Sequence, residues 1–259
     1  MFPQIDPILV TIGPFAVRWY GLMYIFGFLT AWVLGRYRAK RVGTFTAHEF
    51  DDLLTWGCFG VIVGGRLGYV LFYDFAYYMV NPLEIIYLQR GGMSFHGGML
   101  GVIFSVWFAA RMRGKTLFQT MDFVAPLVPP GLFFGRIGNF INGELWGRVT
   151  DAPIGMMFPG GGPLPRHPSQ LYEAGLEGLV FFCLLWAYSA KPRPRMAVSG
   201  LFLLGYGSFR FVVEFFREPD AHLGLVALNT LSMGQVLCLP MILGGALLML
   251  YACRKNHAA

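Results

Sequence analysis

The run MGQVLCLPMILGGALLMLYA, residues 233–252, contains twenty residues and no charged side chain. About 20 mostly apolar residues are needed for an α-helix to cross the hydrocarbon core of a bilayer. The whole chain has the same character, since 56% of its 259 residues are hydrophobic and 13% are charged, against about 25% charged in globular domains. The sequence therefore predicts an integral membrane protein.

Six other segments of similar length and composition precede this run. The fourth and sixth of the seven are the least uniformly apolar, since Asp122 and Arg136 fall in one and Arg210 and Glu214 in the other. We expect an all-α integral membrane protein with about seven transmembrane helices, in a single membrane-embedded domain that covers residues 1–259. The predicted spans are 17–35, 53–73, 93–110, 118–140, 169–189, 198–216 and 233–252.

The positions of the basic residues predict the orientation. Twelve of the twenty follow the first, third, fifth and seventh spans, and loops rich in lysine and arginine face the cytoplasm. Seven spans then place the N-terminus outside and the C-terminus in the cytoplasm. The twelve are Arg36, Arg38, Lys40, Arg41, Arg111, Arg113, Lys115, Lys191, Arg193, Arg195, Arg254 and Lys255.

Two segments on the predicted outer side are long enough to fold there. Residues 74–92 contain apolar and aromatic side chains typical of an interfacial arm. Residues 142–168 are rich in glycine and proline, which favours a small irregular head on the periplasmic side.

The eight remaining basic residues are all arginines, and most map to the outer face. Arginine is the preferred cation where a planar fork must bind phosphate or carboxylate. We therefore expect phosphate-binding cations on that side. The eight are Arg18, Arg66, Arg90, Arg136, Arg148, Arg166, Arg210 and Arg217.

The motif GRIGNFINGELWGR at 135–148 places Arg136 at the outer end of an apolar segment. A guanidinium within a membrane helix costs roughly 2.5–3.5 kcal/mol on insertion scales, so it needs a partner or a function. Asn139, Asn142 and Glu144 are polar neighbours, and glycines leave space around them. The motif predicts a polar pocket for an anionic, lipid-like ligand.

His96 stands at the predicted outer start of the third span, between Phe95 and two glycines. An imidazole can take up a proton near neutral pH, which makes His96 a candidate general base. The alternative is a structural histidine that caps the helix or contacts a neighbouring one.

Tyr206, Arg210 and Glu214 are spaced four residues apart and therefore share one face of the sixth predicted span. One interpretation is an Arg210–Glu214 pair that neutralises itself, and the other is a functional pair, since buried pairs are expensive to keep. Tyr20, at the edge of the first span, is by itself an ordinary interfacial aromatic residue.

Taken together, these motifs resemble those of the bacterial prolipoprotein diacylglyceryl transferase family, and the resemblance extends over nearly the whole chain. The segment at 135–147 resembles the family signature from end to end. The other matching motifs are WYGLMY at 19–24, GMSFHGG at 92–98, RHPSQLYE at 166–173 and FRFVVEFFREPD at 209–220.

The resemblance implies an enzyme of the bacterial inner membrane. Such an enzyme moves the diacylglyceryl group of phosphatidylglycerol to the lipobox cysteine of a preprolipoprotein and releases glycerol phosphate. The reaction needs no cofactor and no metal, and the implied partners are membrane lipid and the lipobox segment, with no nucleic acid.

The resemblance also implies roles for particular residues. Arg136 and Arg210 are the essential cations, with Arg136 on the lipid phosphate, and His96 is the candidate base for the thiol. The other positions that the resemblance marks as important are Tyr20, Asn139, Glu144, Gly147, Tyr206 and Glu214.

Two questions stay open from the sequence. Arginines that lower the thiol pKa are a rival to a histidine base. A transporter or flippase for an anionic lipid also uses buried arginines, although its pathway needs polar groups at both faces, whereas here they cluster towards one face.

Overall fold

The structure, a computed structural model, describes residues 2–3, 5–13, 15–87, 91–219, 225–227 and 230–257. The chain forms two units, one made of residues 1–34 and 121–259 and the other of residues 35–120. Each unit is described by itself below. Arg90 of the 74–92 segment and Asp220, the last residue of the motif at 209–220, lie outside the described residues.

The protein is mostly helical, as the composition predicts. A hairpin of β1 (Ile8–Ile12) and β2 (Phe15–Arg18) precedes the first helix, and a second short pair, β3 (Leu225–Ala227) and β4 (Leu231–Ser232), precedes the last. The helices are α1 (Trp19–Val42), α2 (Ala47–Phe72), α3 (Phe75–Val80), α4 (Phe95–Met112), α5 (Leu117–Val124), α6 (Val128–Ile141), α7 (Ser169–Glu173), α8 (Phe181–Tyr188), α9 (Ala197–Val213) and α10 (Met233–His257).

Within the described part of the chain, four helical stretches are long and apolar enough to cross a membrane, and α9 is a shorter apolar helix. One stretch joins α5 to α6 through a 3₁₀ turn at Ala125–Leu127, and another joins α7 to α8 through a π-helical turn at Ala174–Val180. The four stretches are Ala47–Phe72, Leu117–Ile141, Ser169–Tyr188 and Met233–Lys255.

In the second unit, glycines bring α2 and α4 into backbone contact. A Cβ at Gly97 would clash with the carbonyl oxygen of Gly64, and one at Gly60 would lie 2.5 Å from that of Gly101. Small residues allow this close approach in membrane helices. The α2–α4 pair thus supports the start of α4, where His96 is located.

We expect Gly97→Ala to destabilise this helix pair, because the added methyl group has no room beside Gly64. Overpacking of this kind costs about 1–3 kcal/mol, more than the helix propensity that alanine gains. The neighbouring Gly98→Ala is the matched control, since its Cβ would make only an ordinary contact at 3.5 Å. Thermal unfolding in detergent compares the two variants, and equal midpoints would contradict the close approach.

Arg66 of α2 has a structural role in this unit. Its buried guanidinium donates hydrogen bonds to the carbonyl oxygens of Glu84 at 2.7 Å, Ile85 at 2.8 Å and Gly91 at 2.5 Å. It also lies over the Tyr78 ring at 5.1 Å. Arg66 therefore connects the described part of the 74–92 segment to α2. Because its guanidinium is bound to these carbonyl groups, we no longer count Arg66 among the candidate phosphate ligands.

In the first unit, the contacts of Asp122 account for the presence of a charge within a predicted span. Its carboxylate accepts hydrogen bonds from the backbone N–H groups of Met196 and Ser199, both at 2.7 Å. These groups belong to the N-terminal end of α9, where unpaired N–H groups and the helix dipole favour a negative charge. Asp122 thus anchors the helix that carries Arg210.

Candidate active site

Three helices of the first unit bring two arginines to one carboxylate. Arg136 comes from α6, Arg210 from α9 and Glu173 from the end of α7. The Glu173 Oε2 atom lies 2.6 Å from Arg136 Nε and 2.9 Å from Arg210 Nη1. Glu173 is fully buried, whereas the Arg136 and Arg210 side chains are 20% and 12% exposed. The two cations predicted from the sequence therefore lie at one site.

Two more carboxylates surround Arg210. Glu214 Oε2 lies 2.9 Å from Arg210 Nη2, which is the pair expected from the spacing along α9. Glu177, in the π-helical turn after α7, is fully buried with its Oε1 at 3.7 Å from Arg210 Nη1. Arg217 Nη1 lies 3.8 Å from Glu214 Oε1. The site thus combines three arginines with three buried glutamates, so their formal charges balance.

Glu214 is itself held by the start of α10. The Ser232 hydroxyl donates to Glu214 Oε1 at 3.1 Å. Ser232 also accepts from the backbone N–H of Gln235, whose side-chain oxygen accepts the Ser232 N–H at 3.0 Å. This reciprocal arrangement is a capping box. The N-terminus of α10 therefore fixes Glu214, and through it Arg210.

The polar residues of the 135–148 motif form a second group beside Arg136. Glu144 Oε1 accepts hydrogen bonds from the side-chain amides of Asn139 at 2.8 Å and Asn142 at 3.2 Å. Asn139 Oδ1 in turn lies 3.5 Å from Arg136 Nη1. Gln170 of α7 donates to the Glu144 carbonyl at 2.6 Å. The motif and α7 are thus joined at two points, the Glu144 carbonyl and the Arg136 guanidinium.

Gly147 and Tyr20 occupy tightly packed positions. The Gly147 N–H donates to the His167 carbonyl at 2.8 Å, and a Cβ there would clash with the carbonyl oxygen of Phe216. The Tyr20 ring packs on α6, 2.9 Å from where a Cβ of Gly138 would be. The Tyr20 and Tyr24 hydroxyls are 3.4 Å apart. Both predicted residues therefore adjoin the elements that carry the arginine cluster.

Tyr206 lies one turn before Arg210 on α9. Its ring stacks on Phe202 with centroids 6.0 Å apart, and it packs against the buried core around Phe181. The expected stripe of Tyr206, Arg210 and Glu214 is therefore present on one side of α9.

His96 belongs to the second unit, in the first turn of α4. The helix begins after Ser94, whose hydroxyl accepts the Gly97 N–H at 3.2 Å while its own N–H donates to the Gly65 carbonyl at 2.8 Å. The His96 side chain is exposed. Ser94, and not His96, is thus the residue that caps the helix.

Two central members of the cluster, Glu173 and Glu177, were not predicted from the sequence. They stand four residues apart in the apolar segment 169–189, the same signal that singled out Arg210 and Glu214. Ser232 and Gln235 were also missed, although their Ser-x-x-Gln spacing is that of a capping box. Paired charges four residues apart in an apolar segment are thus the signal that identifies the two glutamates.

Chemically, the cluster is suited to bind a phosphate ester. Guanidinium groups form short, charge-assisted hydrogen bonds with phosphate, and they do so more strongly where water is scarce. The carboxylates hold the guanidinium groups in place, while Arg136 keeps part of its surface exposed.

Comparison with known proteins shows the family of this chain. A model of the family described as prolipoprotein diacylglyceryl transferase matches residues 7–251. Proteins named phosphatidylglycerol–prolipoprotein diacylglyceryl transferase are 62% identical in Oleidesulfovibrio alaskensis (100% of this chain, 97% of the relative) and 60% in Nitratidesulfovibrio vulgaris (94% and 93%). The Pseudomonas aeruginosa protein of the same name is 57% identical (99% and 97%). Because the match covers nearly its full length, the chain belongs to the prolipoprotein diacylglyceryl transferase family.

Proposed function

We propose that this protein transfers the diacylglyceryl group of phosphatidylglycerol to the lipobox cysteine of preprolipoproteins, the first step of bacterial lipoprotein maturation. The observation that carries the proposal is an identity of 57–62%, over nearly the whole chain, with proteins named for this activity. The partly buried arginines at the candidate site suit a substrate whose leaving group is a phosphate ester.

In this reaction a carbon–sulfur bond forms between the cysteine and the terminal carbon of the diacylglyceryl group. The bond from that carbon to the phosphate oxygen breaks, the thiol loses its proton, and glycerol phosphate leaves with one more negative charge than the diester carried. Stabilising developing charge is usually the largest catalytic contribution. We assign this task to Arg136 and Arg210, with Arg136 on the phosphate. The leaving group needs no redox or nucleotide cofactor.

The substrate-binding surface is proposed to extend from these arginines to the residues packed around them. Their contacts with α6, α7 and α9 support this assignment, because a lipid phosphate beside Arg136 is then close to the amides and hydroxyls of the site. The proposed substrate-binding residues are Arg136, Tyr20, Asn139, Glu144, Gly147, Tyr206 and Glu214.

The proposed setting is the bacterial cytoplasmic membrane. Seven helical segments would cross it from an external N-terminus to a cytoplasmic C-terminus, as a single membrane-embedded domain. The arm at 74–92 and the head at 142–168 would lie on the outer side. The basic loops of the sequence support this orientation, and the four long apolar helical stretches support the membrane location.

A mass measurement tests the proposed function. Purified protein is incubated with phosphatidylglycerol vesicles and a lipobox peptide, and the peptide should gain the mass of one diacylglyceryl group as glycerol phosphate is released. A peptide with serine in place of cysteine and vesicles of phosphatidylcholine are the controls. An unmodified peptide, together with movement of labelled phosphatidylglycerol between leaflets, would instead identify a flippase.

His96 is proposed as the general base that accepts the thiol proton. A free cysteine thiol has a pKa of about 8.5 and is mostly protonated at neutral pH, so a base accelerates its attack. The exposed position of His96 at the start of α4 supports access to a substrate thiol.

For His96→Gln we expect a rate about 100-fold lower at neutral pH, the usual scale of general-base catalysis, with partial recovery at higher pH because the thiolate then forms unaided. His48→Gln is the matched control, since the His48 side chain is 89% exposed and lies outside the proposed site. Rates measured across pH separate the possibilities. A variant whose profile runs parallel to that of the wild type would show that His96 only positions the lipid or a helix.

A further inference from the structure

Glu173 is a buried charge to which the reaction described above gives no task. It is fully buried at the end of α7, and its Oε1 atom has no hydrogen-bond partner within the described part of the chain. A buried carboxylate is costly, and an ion pair often gives no more stability than a well-packed apolar group of similar volume. Stability alone is therefore a weak reason for a carboxylate at this position.

The contacts of Glu173 indicate what it does. One atom, Oε2, lies 2.6 Å from Arg136 Nε and 2.9 Å from Arg210 Nη1. Two guanidinium groups repel each other, so without a shared anion they would separate. Because both bonds converge on a single oxygen, Glu173 fixes the distance between the arginines and offsets part of their positive charge.

The backbone around Glu173 makes this bridge rigid. α7 is anchored through Gln170 and Ser169, which donate to the carbonyl oxygens of Glu144 at 2.6 Å and Leu145 at 3.1 Å. Directly after Glu173 the helix widens into the π-helical turn Ala174–Val180. Such turns occur frequently at functional sites, where they redirect side chains.

We propose that Glu173 is a positioning residue that holds Arg136 and Arg210 at the separation at which both contact one lipid phosphate. This inference rests on the proposed function and adds a residue to its machinery. Both arginine side chains keep an exposed fraction, and Arg136 meets Glu173 through Nε, which leaves its Nη1 and Nη2 atoms for the phosphate. Glu173 acts through the arginines and does not itself contact the reacting atoms.

The test compares Glu173→Gln with Glu177→Gln, which makes the same charge change at an equally buried site one turn along the segment. Glu177 lies 3.7 Å from Arg210 and has no ion pair with Arg136 among the described residues. We expect kcat to fall about 100-fold in Glu173→Gln, the scale of a misplacement of about 1 Å. In Glu177→Gln it should fall less than 10-fold.

The Michaelis constant gives a second readout. Removing a negative charge beside the arginines does not weaken ground-state attraction for an anionic lipid, so KM for phosphatidylglycerol in Glu173→Gln should change less than about threefold. Glu173→Asp keeps the charge but is shorter, and should recover only part of kcat. Lipidation of the peptide is measured at several vesicle concentrations, with thermal unfolding as a check on the fold.

The outcomes separate the two proposals. If wild-type protein does not modify the peptide, the proposed function fails. If the wild type is active and the two glutamine variants lose kcat equally, charge and not bridging is responsible, and the positioning role is overturned. A Glu173→Gln variant with wild-type kcat overturns it as well. Should Glu173→Gln fail to fold, a wild-type kcat in Glu173→Asp decides against the bridge and a reduced kcat with unchanged KM supports it.

Discussion

Arg136→Ala is expected to lower lipidation of the peptide by about 100- to 1,000-fold or more, because it removes a donor aimed at charge that develops on the phosphate. Arg136 is bound on one side by Glu173 at 2.6 Å and approaches Asn139 at 3.5 Å on the other, so its guanidinium has a fixed direction. Among the described residues, the other cation bound to Glu173 is Arg210, which already has its own ion pair with this carboxylate and cannot replace Arg136.

Arg136→Lys sharpens this prediction. Lysine retains the charge but not the planar fork, so it cannot bind Glu173 through Nε while presenting other nitrogen atoms to phosphate. We therefore expect little recovery. Arg195→Ala is the control, since Arg195 is exposed in a loop outside the site. The measurement is the mass of the peptide product formed by purified protein, and near-normal activity of Arg136→Ala would remove Arg136 from the phosphate site.

Arg210→Ala is expected to be equally severe for activity and worse for stability. Arg210 faces three carboxylates, from Glu173, Glu177 and Glu214, and each is at most 4% exposed. Removing one partner of a buried ion pair costs about 3–5 kcal/mol because the remaining charge is left without compensation. Lipidation and the thermal unfolding midpoint in detergent should therefore both fall.

Glu214→Gln is the informative companion to this variant. The amide still accepts the Ser232 hydroxyl and keeps the packing against Gly234, so Arg210 should stay near its position with a smaller loss of activity. The same assays are used for both variants. An inactive Glu214→Gln beside an active Arg210→Ala would exchange the roles assigned to the two residues.

Residue patterns alone determined the class of this protein and part of its site. Apolar runs such as 233–252 predicted the mostly helical membrane fold, because a bilayer leaves a spanning segment little choice of structure. The spacing of Arg210 and Glu214 predicted their ion pair, since residues four apart meet on any helix. These conclusions depend on local geometry, which the sequence carries directly.

Contacts between helices were decided only by the tertiary structure. Arg66, a candidate phosphate ligand in the sequence, is bound to backbone carbonyls of its own unit up to 26 residues away. Glu173 had no predicted partner in the span 169–189, yet it joins Arg136 to Arg210, which lies 37 residues along the chain. Such pairs depend on how helices pack, and the same charged side chain has many partners within reach until packing selects one. The sequence therefore carries these charges in apolar segments, and the packing of α6, α7 and α9 determined which of them meet.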